Sequence, residues 1–95
     1  MKNEMALLRI KIIGTEDTQQ KMLLSNIKEA LNQVGTDYRI NTITDWEDIV
    51  NYNIIQTPAL VIRNQVLSQG FVPSVTALQK IIQAFIPDEQ ELIKT

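Results

Sequence analysis

The stretch Ile55-Gln56-Thr57-Pro58-Ala59-Leu60-Val61-Ile62 decides how the rest of the chain is read. A proline stands directly before a continuous apolar run of strand character. Proline cannot donate to a β ladder, so it belongs at the first residue of a strand or on a sheet edge. The X-Pro bond is also where cis peptides occur, and a cis bond here would turn the Thr57 backbone outward from the sheet. Pro58 therefore marks the start of a strand and a boundary that another part of the molecule can use.

Downstream of it, Asn64-Gln65 separates residues 59–63 from 66–68 and reads as a tight hairpin turn. Gln65 fits poorly where φ > 0 is needed, which leaves a longer or irregular turn open. Gly70-Phe71-Val72-Pro73-Ser74 then breaks the pattern. Pro73 and Ser74 supply N1 and N-cap chemistry for a last helix, and the sequence leaves open which residue holds which position. Val75, Leu78, Ile81, Ile82 and Phe85 recur at spacings of three and four until Pro87 stops them. Residues 88–95 are polar apart from Leu92 and Ile93.

Upstream, residues 7–13 read as a first strand with Leu8, Ile10 and Ile12 on one face. The other face carries Leu7, Arg9, Lys11 and Ile13, so its burial should improve toward Ile13. Gly14 and Thr15 break the run. Met22, Leu23, Ile27, Ala30, Leu31 and Val34 follow at helical spacing, and Gly35 supplies the stop. Residues 38–44 alternate Tyr38, Ile40 and Thr42 against Arg39, Asn41 and Ile43, the pattern of a second strand. Thr44-Asp45-Trp46-Glu47 matches a capping box, with Thr44 as the cap, opening a short helix to about Asn51 that carries Trp46, Ile49 and Val50. The order is β-α-β-α-β-β-α. A parallel pair joined by a crossover helix, then an antiparallel hairpin and a closing helix, gives an α/β fold with a four-stranded mixed sheet and the first strand central.

Ninety-five residues make one domain, 1–95, with a core over about 7–86 and a polar tail over 87–95. Hydrophobic residues at 44% and charged residues at 21% place the chain among ordinary globular domains. Its nine Lys and Arg residues are scattered and the net charge is -2, so no basic patch invites nucleic acid. The apolar stretch from Met5 is interrupted by Arg9 and Lys11, unlike a secretory leader, and no run approaches a membrane span. A cytoplasmic protein without a membrane partner is expected. Cysteine and histidine are both absent. That removes disulfides, thiol chemistry, Cys/His zinc sites and histidine acid/base catalysis together. No cofactor signature is visible, and no cofactor, metal site or catalytic residue is expected.

The element order, Thr57-Pro58 at the third strand, and Gly70-Phe71-Val72-Pro73-Ser74 leading into the last helix together resemble the thioredoxin fold. The similarity is to the small glutaredoxin-like family of archaeal and bacterial redox-active disulfide proteins, and it spans about residues 7–86. Members of that family run from a first strand through a Gly-Thr turn into C-x-x-C at the start of the first helix. Here Ile13-Gly14-Thr15 leads into Glu16-Asp17-Thr18-Gln19-Gln20-Lys21, and the resemblance implies that the two cysteines fall on Asp17 and Gln20. It also implies that Pro58 is the family's cis-proline, lying beside the active-site loop. Family thiolates are stabilised by the helix N-terminus, where Asp17 places a carboxylate that cannot exchange disulfides. A dithiol oxidoreductase is excluded.

For Asp17 and Gln20 the spacing is that of an N-cap and N3, and capping outweighs a ligand role. Trp46 reads first as a packing residue and second as a partner surface. Thr57 and Pro58 are balanced between a turn the fold requires and a backbone edge open to β-augmentation. The resulting expectation is a non-catalytic module that binds a protein or peptide partner beside the Thr57-Pro58 loop, with Asp17, Gln20, Thr57, Pro58 and Phe71 as its site. The alternatives are a structural homodimer or assembly subunit using an edge strand or the Trp46 helix, and a glutathione or small-ligand binder without redox turnover.

Overall fold

The first strand forms over Leu8–Ile13 (β1) in the computed structural model, which describes residues 7–86. The helix that follows, Thr18–Val34 (α1), ends at Gly35, whose left-handed φ of 80° lets its N–H donate to Leu31 O at 2.9 Å. Then come Tyr38–Ile43 (β2), Trp46–Asn51 (α2), Ala59–Ile62 (β3), Gln65–Gln69 (β4) and Val75–Gln83 (α3). The sheet order is β2-β1-β3-β4, with β1 parallel to β2 and antiparallel to β3, and β3 antiparallel to β4. This is the mixed four-stranded sheet, with an interior first strand, that the sequence predicts.

Alternation along β1 and β3 assigns the two faces. Leu8, Ile10, Ile12, Leu60 and Ile62 point to one side, where Leu23, Ile27, Ala30 and Leu31 of α1 and Leu78 and Ile82 of α3 complete the main core. Ile13, Ala59 and Val61 point to the other and meet Ile54, with Ile43, Ile49, Tyr52 and Val66 half-buried around them. On that face Arg9 is exposed, Lys11 is half-buried with its Nζ 2.6 Å from Tyr52 Oη, and Ile13 is buried, the gradient the sequence implies. Each fully buried Ile or Leu contributes about 1.5–3 kcal/mol. A helix cap contributes about 1 kcal/mol, so burial sets the register and capping trims the ends.

Several local expectations are corrected. The hairpin turn is Arg63-Asn64, one residue earlier than Asn64-Gln65, since Ile62 pairs with Gln65. Both turn residues have positive φ, 52° and 64°, as a two-residue type I′ loop requires, and Gln65 escapes that strain by starting β4. The register shifts between Leu60 and Val61, which pair with Ser68 and Val66, so β4 is bulged at Leu67. Asp45, not Thr44, is the N-cap of α2, and no side chain caps that helix. Trp46 is not core: it is 72% exposed, because α2 buries none of its residues and meets the sheet only through half-buried ones such as Ile49. Met22 also lies outside the core, exposed on α1 beside the buried Leu23. Ser74 is the N-cap of α3, accepting from Ala77 N at 3.1 Å, so Pro73 precedes the cap, and Phe85 lies in the turn after the helix. The stop at Pro87 and the tail lie outside the described residues.

Candidate functional site

The end of β1 and the start of α1 are joined by Gly14-Thr15-Glu16-Asp17. Gly14 N–H donates to Ile43 O at 3.0 Å, which extends the β1–β2 pairing by one residue. Glu16 then takes a left-handed φ of 60°, unusual for a residue with a Cβ, and turns the chain into the helix. Asp17 is the N-cap: its Oδ1 accepts from Gln20 N at 2.9 Å, and Thr15 Oγ1 donates to its Oδ2 at 3.4 Å. Gln20 answers in the reverse direction. Its Oε1 accepts from Glu16 N at 3.0 Å, one residue before the N–H that a standard capping box would reach.

Gln20 is only 4% exposed, and its side chain lies over the bare Cα of Gly14. A Cβ on Gly14 would overlap the Gln20 amide and sit 3.5 Å from Pro58 Cα. The absence of a side chain at Gly14 is therefore what makes room for the Gln20 amide, while the Pro58 backbone would stay at ordinary contact distance.

The second wall is the Thr57-Pro58 loop. That peptide bond is cis, Pro58 is buried and Thr57 is half-buried. The loop is tied from behind to the end of β4: Gly70 N–H donates to Pro58 O at 3.0 Å, while Gln69 Oε1 accepts from Ile55 N at 2.8 Å and Gln56 N at 3.3 Å. Gly70 has φ 81°, and any side chain on it would overlap Gln56. On the segments these bonds tie together, Ile55 is 86% exposed and Phe71 is 57% exposed.

Of the residues singled out in the sequence, Asp17 and Gln20 are joined by capping, and Gln20 and Pro58 each lie beside Gly14. Thr57 adjoins Pro58, and Phe71 follows the Gly70 tie. Sequence reasoning missed Gln69, which carries no local signal, and Ile55, whose place just before the proline says nothing of its exposure. It also missed a cavity of about 180 Å³ between the start of α1 and β2, lined by Glu16, Gln20, Lys21, Leu24 and Thr42. Thr57, Pro58 and Phe71 do not line it. Among the described residues no group of acidic side chains is arranged to hold a metal ion, and no helix is long and apolar enough to cross a membrane. What the region offers is amide and hydroxyl hydrogen-bonding groups and exposed apolar side chains.

Comparison with known proteins agrees with this architecture. A family model described as thioredoxin domain matches residues 8–83, from the start of β1 to the end of α3. A thioredoxin of Methanocaldococcus jannaschii is 25% identical over 77 residues, 81% of this chain and 88% of that protein. A thioredoxin of Methanothermobacter thermautotrophicus is 26% identical over 76 residues, 80% of this chain and 99% of that protein. With β-α-β-α-β-β-α order, a mixed sheet and a family match over most of its length, the chain belongs to the thioredoxin domain family, as a member without cysteine.

Proposed function

We propose that this chain is a non-catalytic thioredoxin-like module that binds an extended segment of a protein partner beside the Thr57-Pro58 loop. The observation that carries this reading is the way the loop is built. Gln69 and Gly70 fix its backbone from behind, while Ile55 and Phe71 keep large apolar side chains in solvent on the tied segments. A pre-ordered backbone loses little entropy on binding, and exposed apolar anchors gain from being covered.

The opposite wall supports a binding role over a chemical one. With no cysteine in the chain, dithiol–disulfide exchange through its own thiols is excluded. Asp17 and Gln20, at the positions implied for the family's two thiols, hold the helix start through hydrogen bonds to backbone N–H groups. Their carbonyl and carboxylate oxygens serve as acceptors for the fold, and neither residue is a nucleophile for exchange.

The test is a selection of linear peptides from a random display library on the immobilised chain, followed by affinity measurement on Thr57→Arg. Selected peptides should lose at least about tenfold in affinity on the variant. Peptides that bind both proteins equally would remove the loop from the binding surface.

A further inference from the structure

Among the described residues β2 is an outer strand of the sheet, and it lacks the devices that blunt an edge. It contains no proline, pairs with β1 without a register shift, and carries a single charge, Arg39. The opposite edge, β4, is bulged. Leu8 N–H donates to Asp37 O, and Gly14 N–H donates to Ile43 O, so the odd-numbered residues of this segment turn their backbone groups toward β1. Backbone direction alternates along a strand, so Tyr38, Ile40 and Thr42 present N–H and C=O outward. Outward groups of this kind, with no strand beside them among the described residues, are a template for another strand.

We propose that this edge pairs with the same edge of a second copy, antiparallel about a two-fold axis at Ile40, and that the second copy's Tyr38 closes the cavity beside Thr42. A two-fold axis normal to the sheet keeps the helix-covered faces on one side, so even-numbered residues must oppose even-numbered ones. With Ile40 opposite Ile40, Tyr38 lies opposite Thr42 and Arg39 opposite Asn41. Every outward-facing residue of β2 then exchanges both backbone groups with its opposite number, and no two like charges on the paired strands stand face to face. Moving the axis to Asn41 would place Tyr38 opposite Thr44, beyond the end of β2.

The cavity explains why the fitting partner is another copy. Tyr38 and Ile40 pack toward the main core, so the even-numbered side chains share the α1 face. The cavity lies there too, between α1 and Thr42, with Leu24 as its apolar wall. In this register the second copy's Tyr38 stands directly opposite Thr42, with Cβ atoms about 4.5–5.5 Å apart. The ring of each Tyr38 stays packed on its own core and its uncovered side caps the other copy's cavity, an arrangement that the symmetry repeats at both ends of the paired strands. The pairing is argued from β2 and its cavity and not from the Thr57-Pro58 loop, so the two proposals stand or fall separately.

The experiment combines sedimentation equilibrium with single-cysteine cross-linking in this cysteine-free chain. The native protein should be a dimer at high micromolar concentration. Thr42→Pro removes an outward N–H that β1 does not use, and it should raise the dissociation constant at least about tenfold while the melting transition by circular dichroism is retained. Ile40→Cys places two thiols on the axis with Cα atoms about 5.5 Å apart, within disulfide reach, and should give a covalent dimer on mild oxidation. Asn41→Cys, off the axis, should not. A monomeric native protein, a dimer indifferent to Thr42→Pro, or cross-linking at Asn41→Cys in place of Ile40→Cys would overturn the proposal.

Discussion

Gln20 occupies the space that a side chain on Gly14 would need. Its amide satisfies the Glu16 N–H at the same time, so one buried polar side chain closes the turn into α1 and fills the space beside the Gly14 backbone. Gly14→Ala should displace that amide and destabilise the protein by about 1–3 kcal/mol. Urea unfolding of Gly14→Ala in the native and Gln20→Ala backgrounds tests the coupling. Most of the Gly14→Ala penalty should vanish once Gln20 is truncated, whereas an equal penalty in both backgrounds would place the strain elsewhere.

The two long helices start on capping side chains, Asp17 for α1 and Ser74 for α3. Asp17→Ala and Ser74→Ala should each cost about 0.5–2 kcal/mol in chemical denaturation, and Asp17→Asn should retain most of the stability because it keeps the acceptor. Thr44→Ala should cost much less, since Thr44 caps nothing. A loss at Thr44 comparable to that at Asp17 would contradict the assignment of Asp45 as the N-cap of α2.

Glu16 sits at φ 60°, with its side chain exposed and its backbone N–H donating to Gln20 Oε1. Glycine adopts that conformation without a Cβ penalty. Glu16→Gly should therefore raise stability by about 0.5–1 kcal/mol, the relief at φ > 0 outweighing the greater freedom of the unfolded chain. Thermal melting measures this, and a lowered melting temperature would show that unfolded-chain entropy outweighs the strain of the left-handed turn.

Trp46 supplies a sharper contrast. A buried Trp cut to Ala costs about 3–5 kcal/mol, and an exposed residue away from special features changes stability within about 0.5 kcal/mol. At 72% exposure, Trp46→Ala should fall in the second range, and Trp46 fluorescence should be quenched readily by a neutral aqueous quencher. A multi-kcal/mol loss with poor quenching would return Trp46 to the core.

The strands were legible because alternation along residues 8–13 and the apolar run 59–62 have a physical cause, burial against one or both faces of the sheet. Pro58 and Gly35 were legible because each restricts backbone geometry in a way few residue types share. The errors fall where one local signal has two outlets. Trp46 has the composition of a core residue and of an exposed one, and only the shallow seating of α2 decides. Thr44 and Asp45 are both capping residues, and side-chain chemistry does not say where the helix begins. The hairpin turn moved by one residue because pairing of Ile62 with Gln65 fixed the register, and Arg63 accepted a positive φ that its type does not favour. At the site, the capping role of Asp17 was visible in the sequence. The ties from Gln69 and the fit of Gln20 over Gly14 are contacts that no spacing encodes.

The proposed peptide site rests on the loop at Thr57-Pro58, and backbone amide shifts report on it most directly. An isotope-labelled sample titrated with a peptide selected on the native chain should show the largest changes at Ile55, Gln56, Thr57, Gly70 and Phe71, all lost in Thr57→Arg at unchanged melting temperature. Changes confined to α2 around Trp46 or to β2, with the loop amides silent, would contradict the assignment of this loop as the binding surface.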